Sequence, residues 1–255
     1  MKTIKPFFLC AKTKKALEAE KVLKKKYKYY SLEKANIVVV LGGDGLILSL
    51  INDEVFIKKK IFGMNRGTVG FLLNAYSHLN LLDRIRASKE TKLKSVSMEV
   101  TDIKKNTYKA FSLNEVSLLR QNRNAANIRV KINNKIKISK LVSDGILLST
   151  PAGSTAYNLS AHGPILPLNS SLLALTAICP FRPRRWNGAL VPENSSITLE
   201  IIDPLNRPVS ATAGQVEIRN VSKVKVKSED KKSLKLLFDK KDNLEEKIFN
   251  EQFNL

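Results

Sequence analysis

Two cysteines, two histidines and one tryptophan in 255 residues leave little material for several kinds of site. Cys10 and Cys179 can form no disulfide framework and no metal-ligand cluster. His78 and His162 stand apart, without a metal-binding spacing, so each reads as structural and no protein-held metal is expected. No stretch approaches the ~18 consecutive apolar residues that cross a bilayer. Met1 to Lys15 has only Phe7-Phe8-Leu9-Cys10-Ala11 among lysines, too short for a secretory core. The expectation is a soluble, cytoplasmic protein with no membrane partner. A Walker-type Gly-x-x-x-x-Gly-Lys-Ser/Thr loop, a His-Arg-Asp kinase loop and a strict Gly-x-Gly-x-x-Gly fingerprint are also missing. Ser154, His162 and Asp144 could be drawn as a hydrolytic triad, but the Gly-x-Ser-x-Gly elbow is absent.

Acidic residues are scarce too, with 23 Asp and Glu against 44 Lys and Arg, a formal charge of +21. Only 11 of the basic residues are Arg, and the lysines are scattered over Lys12 to Lys28, Lys58 to Lys60, Lys131 to Lys140 and Lys223 to Lys247. Base recognition draws on Arg forks clustered on one element. With neither that pattern, a zinc-finger spacing nor an aromatic RNA-binding signature, a nucleic-acid partner is not expected. Diffuse lysine, with some attraction for phosphate ligands, is the simpler account.

The chain has 43% hydrophobic residues, enough for a substantial core. Ile4 to Ala11 reads as a strand, and Lys14 to Lys26 as a helix with Leu17 and Val22 or Leu23 near one face. Ile37 to Leu41 is a second strand, and a helix begins near Leu46. Ile61-Phe62 opens a third apolar segment. Strand and helix alternate, with glycine loops after strands, as in an open α/β sheet whose ligands lie beyond the carboxyl ends of its strands. From about Leu93 the segments are short and β-branched: Ser95 to Val100, Asn106 to Leu113, Asn127 to Ile132 and Ile197 to Ile202. Asn133-Asn134 and Asp203-Pro204 are turn pairs among them. An all-β second domain follows, and the tail Asn243 to Phe253, with Leu244 and Ile248 at helical spacing, is expected to return to the first. There is no internal repeat and no long low-complexity linker.

Ile37 to Gly45, Ile-Val-Val-Val-Leu-Gly-Gly-Asp-Gly, ends a fully apolar strand in three glycines around one carboxylate. Gly42, Gly43 and Gly45 let the backbone turn sharply and approach a ligand closely. Asp44 would repel phosphate, so it either accepts a proton from a hydroxyl or holds a cation; the plain alternative is a turn. Three further patches carry polar groups. Asn65-Arg66-Gly67-Thr68-Val69-Gly70-Phe71 places an arginine where it could touch phosphate. Asn114-Glu115 sits among apolar neighbours, facing solvent or lining a pocket. Ser143 to Pro164 joins a strand, a hydroxyl-rich glycine turn and a helix start, which Ser154 or Thr155 could cap.

In order and across nearly the whole chain, Gly-Gly-Asp-Gly, Gly-Met-Asn-Arg-Gly-Thr-Val-Gly-Phe-Leu, Asn-Glu, and Asp-Gly with Thr-Pro-Ala-Gly-Ser-Thr-Ala-Tyr resemble the NAD kinase family. Pro180 to Trp186 looks like a bacterial branch of it. Gly-Gly-Asp-Gly alone is shared with lipid kinases of the diacylglycerol and sphingosine type, which stand as the alternative. The resemblance implies a Rossmann-like α/β domain over 1–92 with 235–255 and a β-sandwich NAD-binding domain over 93–234. It implies ATP-dependent phosphorylation of the 2′-hydroxyl of the adenosine ribose of NAD, with Mg²⁺ or another divalent metal carried on ATP. A homodimer or homotetramer is expected on the same ground.

By that resemblance Asp44 is the proton acceptor and Gly45 lies beside it; Gly42, Gly43, Asn65 and Arg66 are expected to serve the nucleotides on the chemistry of their loops. Asn114 and Glu115 match residues that hold the nicotinamide half, and Asp144 matches another dinucleotide contact. Thr155, Ala156, Tyr157, Asn158, Leu159 and Ser160 match a segment that wraps the adenosine part, and Gln215 a late substrate contact. Two positions depart from the pattern: Ala213 stands where many relatives have Asp, and Leu46 where many have Thr.

Overall fold

A computed structural model describes residues 3–68, 70–240 and 243–253. In chain order its elements are β1 (Pro6–Cys10), α1 (Lys14–Lys26), β2 (Ile37–Gly42), α2 (Asp44–Ser49), α3 (Glu54–Ile57), β3 (Lys60–Asn65) and α4 (Leu81–Ala87). The strands β4 (Lys89–Asp102), β5 (Thr107–Ser112), β6 (Glu115–Arg120), β7 (Ala126–Ile132), β8 (Lys135–Ser143) and β9 (Gly145–Ser149) follow. The one-turn helix α5 (Tyr157–Ser160) precedes β10 (Leu172–Ile178), β11 (Gly188–Pro192), β12 (Ile197–Ile201), β13 (Val209–Ala213), β14 (Val216–Ile218), β15 (Val221–Phe238) and α6 (Leu244–Glu251). The chain divides into two compact units, Met1–Leu93 with Lys232–Asn250, and Lys94–Lys231 with Glu251–Leu255.

The first unit is α/β. Strands β1, β2, β3 and the last part of β15 lie side by side in that order, all parallel. All six residues of β2 are buried, as a strand covered on both faces requires. Phe8, Val39, Leu41, Phe62, Met64, Leu81 and Ile85 fill one core with α1. Thr13 caps α1 by accepting the Ala16 N–H, and three lysines end it. The buried face of α1 keeps Leu23 of the sequence expectation but not Leu17 or Val22. It is Ala16, Ala19 and Leu23 that are buried, while Leu17 and Val22 are 45% and 43% exposed. Spacing of i, i+3 and i+7 decides the face, and two small alanines let the helix lie close to the sheet.

The second unit is a sandwich of antiparallel strands. One sheet runs β11-β10-β9-β6-β13-β14; facing residues come from β5, β4, the first part of β15, β12, β7 and β8, paired in that order. Alternate residues such as Val96, Met98 and Val100 of β4, Val116 and Leu118 of β6, and Ile197 and Leu199 of β12 meet in a single core. Asn133 and Asn134 join β7 to β8 with φ of 51° and 64°, the left-handed pair that a two-residue hairpin needs and asparagine tolerates.

Candidate active site

In the first unit the strand-end glycines do two separate jobs. Gly67 backs onto Gly43: a Cβ on Gly67 would lie 3.0 Å from the Gly43 Cα, so the two loops can touch only where both lack side chains. Gly45 is different, since a Cβ there would meet nothing within 4 Å. It borders open space beside Asp44. Helix α2 begins at Asp44, two residues earlier than the apolar pattern indicates, with Gly43 as its N-cap.

The Asp44 carboxylate is held from outside its own helix. Phe71 N–H donates to Oδ2 at 2.8 Å and Leu72 N–H to Oδ1 at 2.9 Å. Each oxygen keeps a further lone pair. Burial pushes the Asp44 carboxyl above its ordinary range, against the downward pull of the two N–H groups and of Lys247. A fixed, partly desolvated carboxylate of raised basicity suits proton abstraction.

The polar side chains of the neighbouring loop make bonds of their own. Asn65 folds its side chain under the loop and accepts the Gly67 N–H at 2.8 Å. Arg66, expected to touch phosphate, instead stacks 4.2 Å from the centre of the Tyr76 ring and donates through Nε to the Lys15 carbonyl. The exposed imidazoles of His78 and His162 take no packing role; His78 contributes its backbone carbonyl, which accepts from the Tyr27 hydroxyl.

The second unit gathers most of the remaining residues. Glu115 opens β6, paired with Ser149 of β9. The turn after β9 is locked onto its neighbour: Thr150 N–H donates to the Asn114 carbonyl at 2.8 Å, and Thr150 Oγ1 donates to Leu113 and accepts from Gly153 N–H. A Cβ on Gly153 would fall 2.3 Å from the Asn114 carbonyl oxygen, so only glycine fits. Glu115 Oε2 is buried with no hydrogen-bond partner among the described residues. That desolvation alone pushes its carboxyl up to about 7. The same negative groups, Glu115 and Asp144, with Cys179, act on the Tyr157 phenol, whose pKa burial raises first. Asp144 is tied to Arg120 by an ion pair of 2.5 Å.

One expectation for the segment 154–160, the helix cap, is corrected. Neither Ser154 nor Thr155 caps α5; its N-cap is Ala156, without a side-chain bond. Ser154 Oγ donates to Pro151 and accepts from Leu166 N–H because it is fully buried in the turn. Asn158, matched to a substrate contact, is wholly buried and spends its amide internally, donating to Ser154 and Pro164 carbonyls and accepting from Thr176 Oγ1 at 2.6 Å. Thr155, Ala156, Tyr157 and Leu159 remain partly exposed and Ser160 exposed. Gln215 is exposed on the two-residue turn between β13 and β14, beside Gly214 at φ 58°.

Sequence reasoning missed Arg120, Lys247 and the Phe71 and Leu72 N–H groups. The first two were one lysine and one arginine among many, and backbone donors leave no signature in a sequence. Among the described residues no three His, Cys, Asp or Glu side chains gather around a cation position, and no helix is long and apolar enough to cross a membrane.

The chain is similar to known proteins in sequence and in fold. The sequence model of the ATP-NAD kinase C-terminal domain matches residues 113–234. The chain is 45% identical over 247 residues to the NAD kinase of Caulobacter vibrioides, covering 97% of this chain and 95% of that one. It is 44% identical over 260 residues to the NAD kinase of Zymomonas mobilis, with both chains fully covered. In fold it resembles yeast NADH kinase complexed with NADH, with a TM-score of 0.74 at 22% identity over 93% of this chain and 76% of that one. It also resembles an Archaeoglobus fulgidus NAD kinase in complex with ATP, with a TM-score of 0.74 at 20% identity over 99% and 100%. Sustained identity of this size along two full chains, with the glycine-carboxylate loop and the Asn-Glu pair in the same sequence, places this chain in the NAD kinase family.

Proposed function

We propose that the chain transfers the terminal phosphoryl group of ATP to the 2′-hydroxyl of the adenosine ribose of NAD, giving NADP and ADP. The observation that carries it is the Asp44 carboxylate, held by two backbone N–H groups next to open space at Gly45. In the step the O2′–P bond forms as the bond from phosphorus to the leaving ADP oxygen breaks, and the hydroxyl proton passes to Asp44. A positioned base of this kind contributes ~100- to 10,000-fold, the remainder coming from orientation and charge neutralisation.

In this reading Gly42 and Gly43 shape the loop, and Asn65 and Arg66 support it, Arg66 through its stack on Tyr76. Asn114 and Glu115 receive the nicotinamide half, where the unpartnered Glu115 Oε2 is ready to take a donor from the ligand. Asp144 adds a dinucleotide contact while Arg120 fixes its rotamer. Thr155, Ala156, Tyr157, Leu159 and Ser160 touch the adenosine part, Asn158 shapes that segment from within, and Gln215 is a further contact. Mg²⁺ delivered on ATP would keep water and phosphate ligands and needs no all-protein cage. The ion would neutralise phosphate charge. The free Cys10 and Cys179 suit a cytoplasmic setting, and a homodimer or homotetramer is proposed from the family. Nothing among the relatives favours a lipid kinase.

A coupled assay of NADP formation by the purified protein, offered NAD with ATP, tests the proposal. Turnover with NAD, and none with diacylglycerol or sphingosine, is the expected result. Phosphorylation of lipid and not of NAD would overturn it.

A further inference from the structure

Helix α6 buries Leu244 and Ile248 against the first unit, and between them it carries a lysine with a different task. The Lys247 ammonium donates to the Leu73 carbonyl at 3.1 Å and lies 5.9 Å from the centre of the Phe238 ring. Leu73 is itself buried and directly follows Leu72, one of the two residues whose N–H groups hold Asp44. The segment is also fixed by the Leu73 N–H donating to the Gly70 carbonyl, the Asn65 N–H donating to the Asn74 carbonyl and the Asn74 N–H donating to the Gly63 carbonyl, the last two joining it to the end of β3. Lys247 therefore ties the carboxylate-holding segment to the C-terminal helix.

We infer that Lys247 is a positioning residue for Asp44, clamping the Phe71–Leu73 segment through the Leu73 carbonyl and presenting its positive charge to the carboxylate. The inference rests on the reading of Asp44 as the base. Lys247 is the charged side chain that acts on Asp44. Arg66 is turned onto Tyr76, α2 has no other charged residue, and the Gly70 to Asn74 segment has none. Its charge favours the ionised, proton-accepting form against the burial that favours the neutral one. Without it the base would be protonated at a higher pH, so turnover would fall off earlier as the medium is acidified.

The test is the pH dependence of kcat at saturating NAD and ATP for the wild-type protein, K247M, K247Q and K247R, with KM for both substrates and amide exchange at Phe71 and Leu72. K247M is expected to lower kcat about tenfold and to move the acid limb up by about half a pH unit or more, with KM within about twofold. It should also speed exchange at both amides. K247Q, which keeps a donor without the charge, should show the displaced limb with slower exchange than K247M, and K247R should restore the wild-type limb. A wild-type limb in K247M, a limb displaced equally in K247R, or a loss confined to KM overturns the inference. Near-normal turnover in D44N would sink the base assignment itself. An inactive D44N with an unmoved K247M limb would sink only the role of Lys247.

Discussion

Asp44 and Glu115 are two half-buried carboxylates in two different units, and their surroundings differ in one respect. Both are pushed toward their neutral forms by burial. Asp44 has a backbone N–H on each oxygen and a lysine acting on it, whereas Glu115 leaves Oε2 buried and unpartnered. A carboxylate whose bonds the fold completes has a fixed direction, as a base requires. One that the fold leaves incomplete carries a desolvation cost until a ligand donor arrives. The first arrangement suits chemistry and the second suits binding.

The largest way to break this comparison is D44N, expected to lower kcat ~100- to 10,000-fold in the NADP-formation assay. The amide also turns one acceptor into a donor facing Phe71 or Leu72, so a melting curve should show a loss of about 1–3 kcal/mol. G153A comes next. Its Cβ would meet the Asn114 carbonyl at 2.3 Å, and a loss of roughly 3 kcal/mol in denaturant unfolding should follow, with Glu115 displaced along with Asn114.

For Glu115 the sign can be worked through. Its folded pKa of about 7 stands above the ordinary 4.5, so the fold binds more protons than the unfolded chain between those values. Its stabilising effect is complete below about pH 4.5 and lost as pH rises through about 7. E115Q should therefore be more stable than wild type at pH 8, by up to about 3 kcal/mol, with the difference vanishing near pH 4. Thermal melts across that range check it, and equal differences at both ends would contradict it. The smallest effect belongs to G45A. A Cβ there meets nothing in the fold and alanine favours α2 by up to about 1 kcal/mol, so stability should hold or rise while KM for NAD increases. An unchanged KM would mean that the open space is not where substrate lies.

The sequence made the outline of this molecule readable because its strongest signals are local. Ile37 to Leu41 has to be a buried strand, three glycines have to end it, and Asn133-Asn134 has to turn. The α/β character of the first unit and the β character of the second followed from such segments. What stayed hidden depends on distant partners. The α1 face was set by Ala16 and Ala19, whose small size carries little hydrophobic signal but permits close packing. Arg66 looked available for phosphate until Tyr76 came beneath it. Ser154 looked like a helix cap and Asn158 was matched to a substrate segment by resemblance, yet burial turned both side chains inward. The donors that aim Asp44 come from 27 and 28 residues away and are backbone groups, on which side-chain identity says nothing.

The division of labour between the two carboxylates is tested most directly by titrating NAD calorimetrically into D44N and E115Q side by side. D44N should bind NAD within about threefold of wild type, and E115Q about tenfold or more weakly, a change of about 1.4 kcal/mol or more. Binding weakened equally in both variants, or weakened in D44N alone, would contradict the account.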